Sequence, residues 1–208
     1  FIDAHCHFLG YGINKLRKAD LNGALSYREV IQRVVEHAGK LDTEWILGRG
    51  WDQNDWDVKA FPDRQELDEL FPDRPVVLIR VDGHASLANG EALRRAGITA
   101  TTKVEGGEVI LKDGIPTGIL IDNAMELVNA VIPEDDEELK KAALREAEND
   151  CFAVGLTSVT DAGLGVETIR MIDALQQSGR LKMKINAMLS ATDTAYPSFM
   201  RKGVYRTE

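Results

Sequence analysis

Five residues near the start of the chain, Asp3-Ala4-His5-Cys6-His7, combine the residue types and the spacing of a metal site. Side chains of a β-strand alternate between faces, so His5 and His7 are expected on one side, with Asp3 one step back on that side. Two imidazoles so placed can grip one divalent ion, and zinc accepts histidine nitrogen at about 2.0–2.1 Å. Asp3 is positioned to orient a ligand from behind. Cys6 points the other way and reads as a packing residue. An H-x-H pair in a polar strand also arises by chance. Here the pair follows an apolar entry, closes a strand and precedes a stretch broken by Gly10 and Gly12, the kind of strand end where α/β barrels carry their active sites.

Four further residues are candidates for substrate contact. His84 follows a core strand in a glycine-flanked loop, where binding groups often lie; a surface or capping histidine is the alternative. Trp51 and Asp52 are placed to line a pocket, although a tryptophan there is more often a packing anchor. Asp161 ends a strand, which directs it either toward a site or onto the N-terminus of the following helix.

The elements that must position these residues follow from periodicity. Residues 1–8 read as a short buried strand. Ser26 with Glu29 forms a capping box, and Val30, Val34, Ala38 and Leu41 continue at helical spacing to a stop near Gly39. Strands are expected at 44–48 and 75–81, helices at 62–71 and 87–96, and an irregular loop at 50–60. Asp113-Gly114 between β-rich runs predicts a hairpin. A helix spans 134–153, a strand 156–159, a helix 166–177 and a strand 183–189. That last alternation argues for parallel strands with crossover helices, hence an α/β fold.

The 208 residues are 44% hydrophobic, enough to bury a core. A formal charge of -9, without a basic stripe, works against a polynucleotide partner. Two cysteines without short paired spacing argue against a disulfide framework and fit a reducing, cytoplasmic setting. No apolar run reaches the roughly 18 residues of a membrane span, so no membrane association is expected. No signal peptide is visible, and the chain opens directly on a strand without a methionine.

Taken in order, the motifs resemble the amidohydrolase superfamily, in which a run such as Phe1-Ile2-Asp3-Ala4-His5-Cys6-His7 closes the first barrel strand. Five later stretches are similar to the YtcJ-like branch that includes N-substituted formamide deformylases. They are Gly50-Trp51-Asp52-Gln53-Asn54-Asp55-Trp56, Phe71-Pro72-Asp73-Arg74-Pro75-Val76-Val77, Arg80-Val81-Asp82-Gly83-His84, Gly118-Ile119-Leu120-Ile121-Asp122, and Gly155-Leu156-Thr157-Ser158-Val159-Thr160-Asp161-Ala162.

The resemblance implies a partial TIM-like (β/α) barrel in residues 1–40 and 133–208, with an inserted α+β lid in 41–132. It implies zinc or another divalent transition metal, one ion or two, with His5 and His7 among the ligands. The expected chemistry is hydrolysis of an amide-like C–N bond in a small molecule by metal-activated water, whose pKa the metal lowers to around 7. The remaining ligands and the general base are expected on later strands beyond Glu208, so no catalytic base is assigned within this chain. Exposed strand edges of a partial barrel favour pairing with a second copy. Two other readings compete. One is a phosphoesterase or nuclease with the same Asp-x-His-x-His opening, against which the acidic balance counts. The other is a non-catalytic binding domain derived from a hydrolase.

Overall fold

The computed structural model describes residues 1–41, 43–201 and 203. In chain order the elements are β1 (Ile2–Cys6), α1 (Phe8–Arg17), β2 (Lys18–Asp20), α2 (Tyr27–Ala38), β3 (Ile46–Trp51), a 3-10 turn (Gln53–Asp55) and α3 (Gln65–Leu70). Then come β4 (Val76–Arg80), β5 (Ala85–Ala88), α4 (Gly90–Arg95), β6 (Gly107–Lys112), β7 (Ile115–Asp122) and α5 (Met125–Asn129). The last elements are α6 (Glu137–Ala153), β8 (Ser158–Leu164), α7 (Val166–Gln177), β9 (Lys184–Leu189) and α8 (Tyr196–Met200). The fold is mixed α/β, and the chain divides into two compact units, residues 1–16 with 135–208 and residues 17–134.

In the first unit β1, β8 and β9 form a parallel sheet in that order, open among the described residues. Parallel neighbours need long crossovers, and α7 is the crossover from β8 to β9. Helix α6 packs Ala143, Leu144 and Ala147 against Phe8, Leu9, Val159, Ile172 and Met183. Its buried Glu148 accepts backbone N–H bonds from Lys182 (2.5 Å) and Met183 (2.6 Å), which ties α6 to the entry of β9.

In the second unit a six-stranded sheet runs β2-β3-β4-β5-β7-β6, with β2, β3 and β4 parallel and the rest antiparallel. Period-2 alternation loads both faces. Ile46, Val76, Leu78, Leu87 and Ile119 join one core with α2, Trp51 and Trp56. Leu47, Val77, Ala88 and Leu120 join another with α4 and α5. The expected hairpin is present, with Asp113 (φ 53°) and Gly114 (φ 78°) supplying the two left-handed residues of its turn.

Several expectations are corrected here. Gly10 and Gly12 do not break the first strand but lie inside α1, because Gly12 lets α1 approach the Ala143 carbonyl of α6 without a Cβ between them. The first strand is largely exposed (Phe1 86%, Ile2 75%), and burial begins at Phe8. The stretch read as one helix over 87–96 opens on the last two residues of β5 and then forms α4, since Asn89 N-caps a new helix. The second compact unit begins at Arg17, and within it α2 packs on β2 and β3. Residues 204–208, at the end of the region assigned to the barrel, lie outside the described residues.

Candidate metal centre

His5 and His7 sit where β1 gives way to α1. The register of β1 on β8 pairs Asp3 with Val159 and Cys6 with Asp161, so three steps on β1 match two on β8. This bulge breaks the simple alternation. Ala4 and His5 are both exposed, while Asp3 and Cys6 are both half-buried. His7 is the residue before α1, and its carbonyl accepts the Tyr11 N–H (2.8 Å).

The two rings lie 5.9 Å apart between centroids at 83°, and both are solvent-exposed. Metal–nitrogen bonds of about 2.1 Å place two rings that share one ion about 5–6 Å apart, so this spacing accommodates a shared ion. His7 Nδ1 lies 3.2 Å from the Ala162 carbonyl oxygen. A carbonyl only accepts, so Nδ1 carries the proton and the neutral ring keeps its Nε2 lone pair for a ligand.

Strand β8 supplies a second fixture. Asp161 is 1% exposed and accepts the Leu9 N–H (3.0 Å), capping the first turn of α1 from a residue 152 positions away. Burial pushes its carboxyl pKa up, and backbone N–H groups of Leu9 and Phe8 pull it part of the way back. The helix it caps is thus α1, not the one after β8. Asp3 accepts the backbone N–H of His5 (3.0 Å), which holds the strand rather than a ring. Cys6 packs on the first unit's core, and burial, then the charges of Asp161 and Asp3, push its thiol up to about 11. It stays protonated at neutral pH and is a poor metal donor. Among the described residues no group of three or more His, Cys, Asp or Glu is placed to hold a metal.

The other candidates belong to the second unit. Trp51 is 1% exposed and its indole N–H donates to the Leu78 carbonyl (2.8 Å), the geometry of a packing anchor. Asp52 accepts from the backbone (2.9 Å) and side-chain amide (2.8 Å) of Asn54 and caps the 3-10 turn. His84 is exposed, with Nδ1 2.8 Å from a carboxylate oxygen of Asp122. Asp122 is not among the expected substrate-contact residues, because the hairpin signal describes its strand and not the loop its side chain reaches.

A model of the amidohydrolase family matches residues 1–205. The chain belongs to that family. YtcJ of Bacillus subtilis (strain 168), an amidohydrolase by name, is 38% identical over 160 residues, which is 76% of this chain and 30% of YtcJ. Protein LONG AFTER FAR-RED 3 of Arabidopsis thaliana is 37% identical over 166 residues, 78% of this chain and 28% of that protein. The N-substituted formamide deformylase of Arthrobacter pascens is 29% identical over 197 residues, 90% of this chain and 36% of the deformylase. An uncharacterized metal-dependent hydrolase from Pyrococcus horikoshii OT3 superposes with a TM-score of 0.69 at 25% identity, over 100% of this chain and 40% of that one. This amidohydrolase-family chain therefore spans about a third of the length of the curated relatives it matches. Among the described residues no helix is long and apolar enough to cross a membrane.

Proposed function

We propose that this chain supplies His5 and His7 as the opening ligands of a metal-dependent hydrolase acting on amide-like C–N bonds of small molecules. The observation that carries the reading is the ring pair: two exposed imidazoles 5.9 Å apart, one with Nδ1 committed to a backbone carbonyl. That arrangement presents His7 Nε2 as a donor atom with its tautomer already selected, which a free surface histidine lacks. When bound, zinc or a related divalent ion would polarise a carbonyl and make hydroxide available at neutral pH.

The chain's own residues do the positioning. Ala162 orients the His7 ring, Asp161 pins the turn that follows it, and Asp3 steadies the backbone of His5. The parallel β1-β8-β9 sheet with its crossover helices is read as part of a TIM-like barrel, and residues 17–134 as the inserted region that recognises substrate. The family match and the metal-dependent hydrolases among its structural neighbours support the reaction class.

The test is elemental analysis and formate release from N-benzylformamide, using the full-length gene product purified without chelator. His5→Ala and His7→Ala are each expected to lower bound metal and abolish turnover with the circular dichroism spectrum unchanged. Near wild-type rates in either variant would remove the ligand roles. A wild-type protein with no transition metal would favour the non-catalytic binding domain, and cleavage of phosphate esters in place of the amide would favour the phosphoesterase.

A further inference from the structure

At the carboxyl end of the β1-β8-β9 sheet, an acid from one strand holds the helix that follows its neighbour. Asp161, on β8, accepts the Leu9 N–H of α1, the helix after β1. Asp193, just past β9, accepts the Val166 N–H of α7, the helix after β8 (2.8 Å). The displacement is one strand in each case.

The second clasp supplies what the local sequence lacks. Gly165 is the N-cap of α7 and has no side chain to cap with. A Cβ there would sit 3.0 Å from Asp193 Oδ2, so glycine lets the carboxylate in. The other carboxylate oxygen accepts the Ala195 N–H (2.7 Å). These two N–H groups hold the Asp193 carboxyl below its usual range. Ser190, just past β9, adds a backbone bond to the Leu164 carbonyl (2.8 Å).

Between these fastenings and His7 lies an irregularity. Ala162 pairs with Met188 and Leu164 with Leu189, so two steps on β8 match one on β9. The extra residue, Gly163, adopts φ 84°, a left-handed bulge position that favours glycine. Before it, the Ala162 carbonyl turns toward β1 and meets His7 Nδ1 (3.2 Å). Beyond it, the Leu164 carbonyl turns toward β9 and meets Ser190. A one-residue slip reverses the side to which each group points. The strand must therefore be held beyond the bulge for Ala162 to keep facing His7.

We propose that Asp193 is a positioning residue for His7. By fastening the turn beyond the Gly163 bulge, it keeps the Ala162 carbonyl against Nδ1 and leaves Nε2 as the free donor atom. Asp193 acts through β8 and is not a catalytic residue. Its use to a hydrolase rests on the ligand role of His7 proposed above.

The experiment reads the His7 tautomer from long-range 1H–15N spectra of the metal-free chain, 15N-labelled in its four histidines. It is run at pH 8, well above the ordinary imidazole range. Wild type should carry the proton mainly on Nδ1. Asp193→Ala should lower the ratio of Nδ1–H to Nε2–H about 2–10-fold, the worth of one neutral hydrogen bond. Gly163→Ala should lower it as well, because alanine at φ 84° is strained although the space around it is open. Asp193→Asn, which keeps an acceptor oxygen for Val166, should retain the wild-type ratio. Asp136→Ala removes the N-cap that accepts the Leu139 N–H of α6 (2.7 Å) and costs comparable stability. It should leave the His7 ratio unchanged. Should Asp193→Ala fail to fold, Gly163→Ala carries the test. A wild-type proton mainly on Nε2, an unchanged ratio in Asp193→Ala or Gly163→Ala, or an equal fall in Asp193→Asn or Asp136→Ala would each overturn the proposal. None of these readouts needs metal or turnover. An unchanged ratio beside intact metal binding and formate release would remove the positioning role and leave the hydrolase reading. The expected fall beside a full-length protein without metal would do the reverse.

Discussion

Replacing Asp161 with alanine removes the carboxylate that joins β8 to the first turn of α1, and the size of the loss follows from its surroundings. Asp161 is 1% exposed, so water has little access to replace the bond from Leu9 N–H. Loss of a helix cap costs typically about 1 kcal/mol, and a buried donor left unsatisfied costs about 1–3 kcal/mol. Removing a carboxylate whose pKa is raised by burial returns part of that. The expected net loss is about 1–3 kcal/mol, or a fall in Tm of roughly 3–10 °C for a chain of this size. Asp161→Asn keeps an acceptor oxygen and should cost less than about 1 kcal/mol.

The pH dependence has a definite sign. The folded-state pKa lies above the unfolded one, so ionising Asp161 disfavours the fold. On this account the contribution of Asp161 itself to stability is greatest below the unfolded carboxyl value and declines as pH rises through the folded value. The asparagine variant lacks that decline, so its deficit should shrink between about pH 4 and pH 7. Circular dichroism melts at both pH values, with deuterium exchange at the Leu9 amide, measure these effects. An alanine variant within about 0.5 kcal/mol of wild type, with Leu9 exchange unchanged, would refute the capping argument, as would an asparagine deficit that grows with pH.

Gly12→Ala places a Cβ inside the Ala143 carbonyl group. The cost should reach or exceed the usual overpacking range of about 1–3 kcal/mol, and Ala143→Gly should not rescue it, because the obstacle is backbone; thermal melts of single and double variants check this. Trp51→Phe should cost about 1–3 kcal/mol in chemical denaturation, because a buried indole loses both volume and its bond to Leu78. An unchanged midpoint would argue against the packing role.

Signals carried by a few neighbouring residues were readable directly. Helix α7 occupies the expected 166–177, the Ser26–Glu29 cap starts α2, and Asp113-Gly114 turns the β6–β7 hairpin. In each case the deciding energy is local: a period, a capping bond, a left-handed turn. The spacing of His5 and His7 is legible because it lies in the sequence itself, and their role as a ligand pair is a proposal. What the tertiary structure decided is where distant segments meet. The bulge in β1 exists only in the register against β8. Asp161 finds Leu9 across 152 residues and Asp122 finds His84 across 38. Strand β5 runs into a helix-like stretch, to Ala88, because β4 and β7 supply its hydrogen bonds, and pairing energy of that kind outweighs helix propensity. Residue types near the start of the chain thus announce the chemistry they suit, while the fixtures that orient His7 and His84 come from partners brought near by chain folding, whose positions no local pattern encodes.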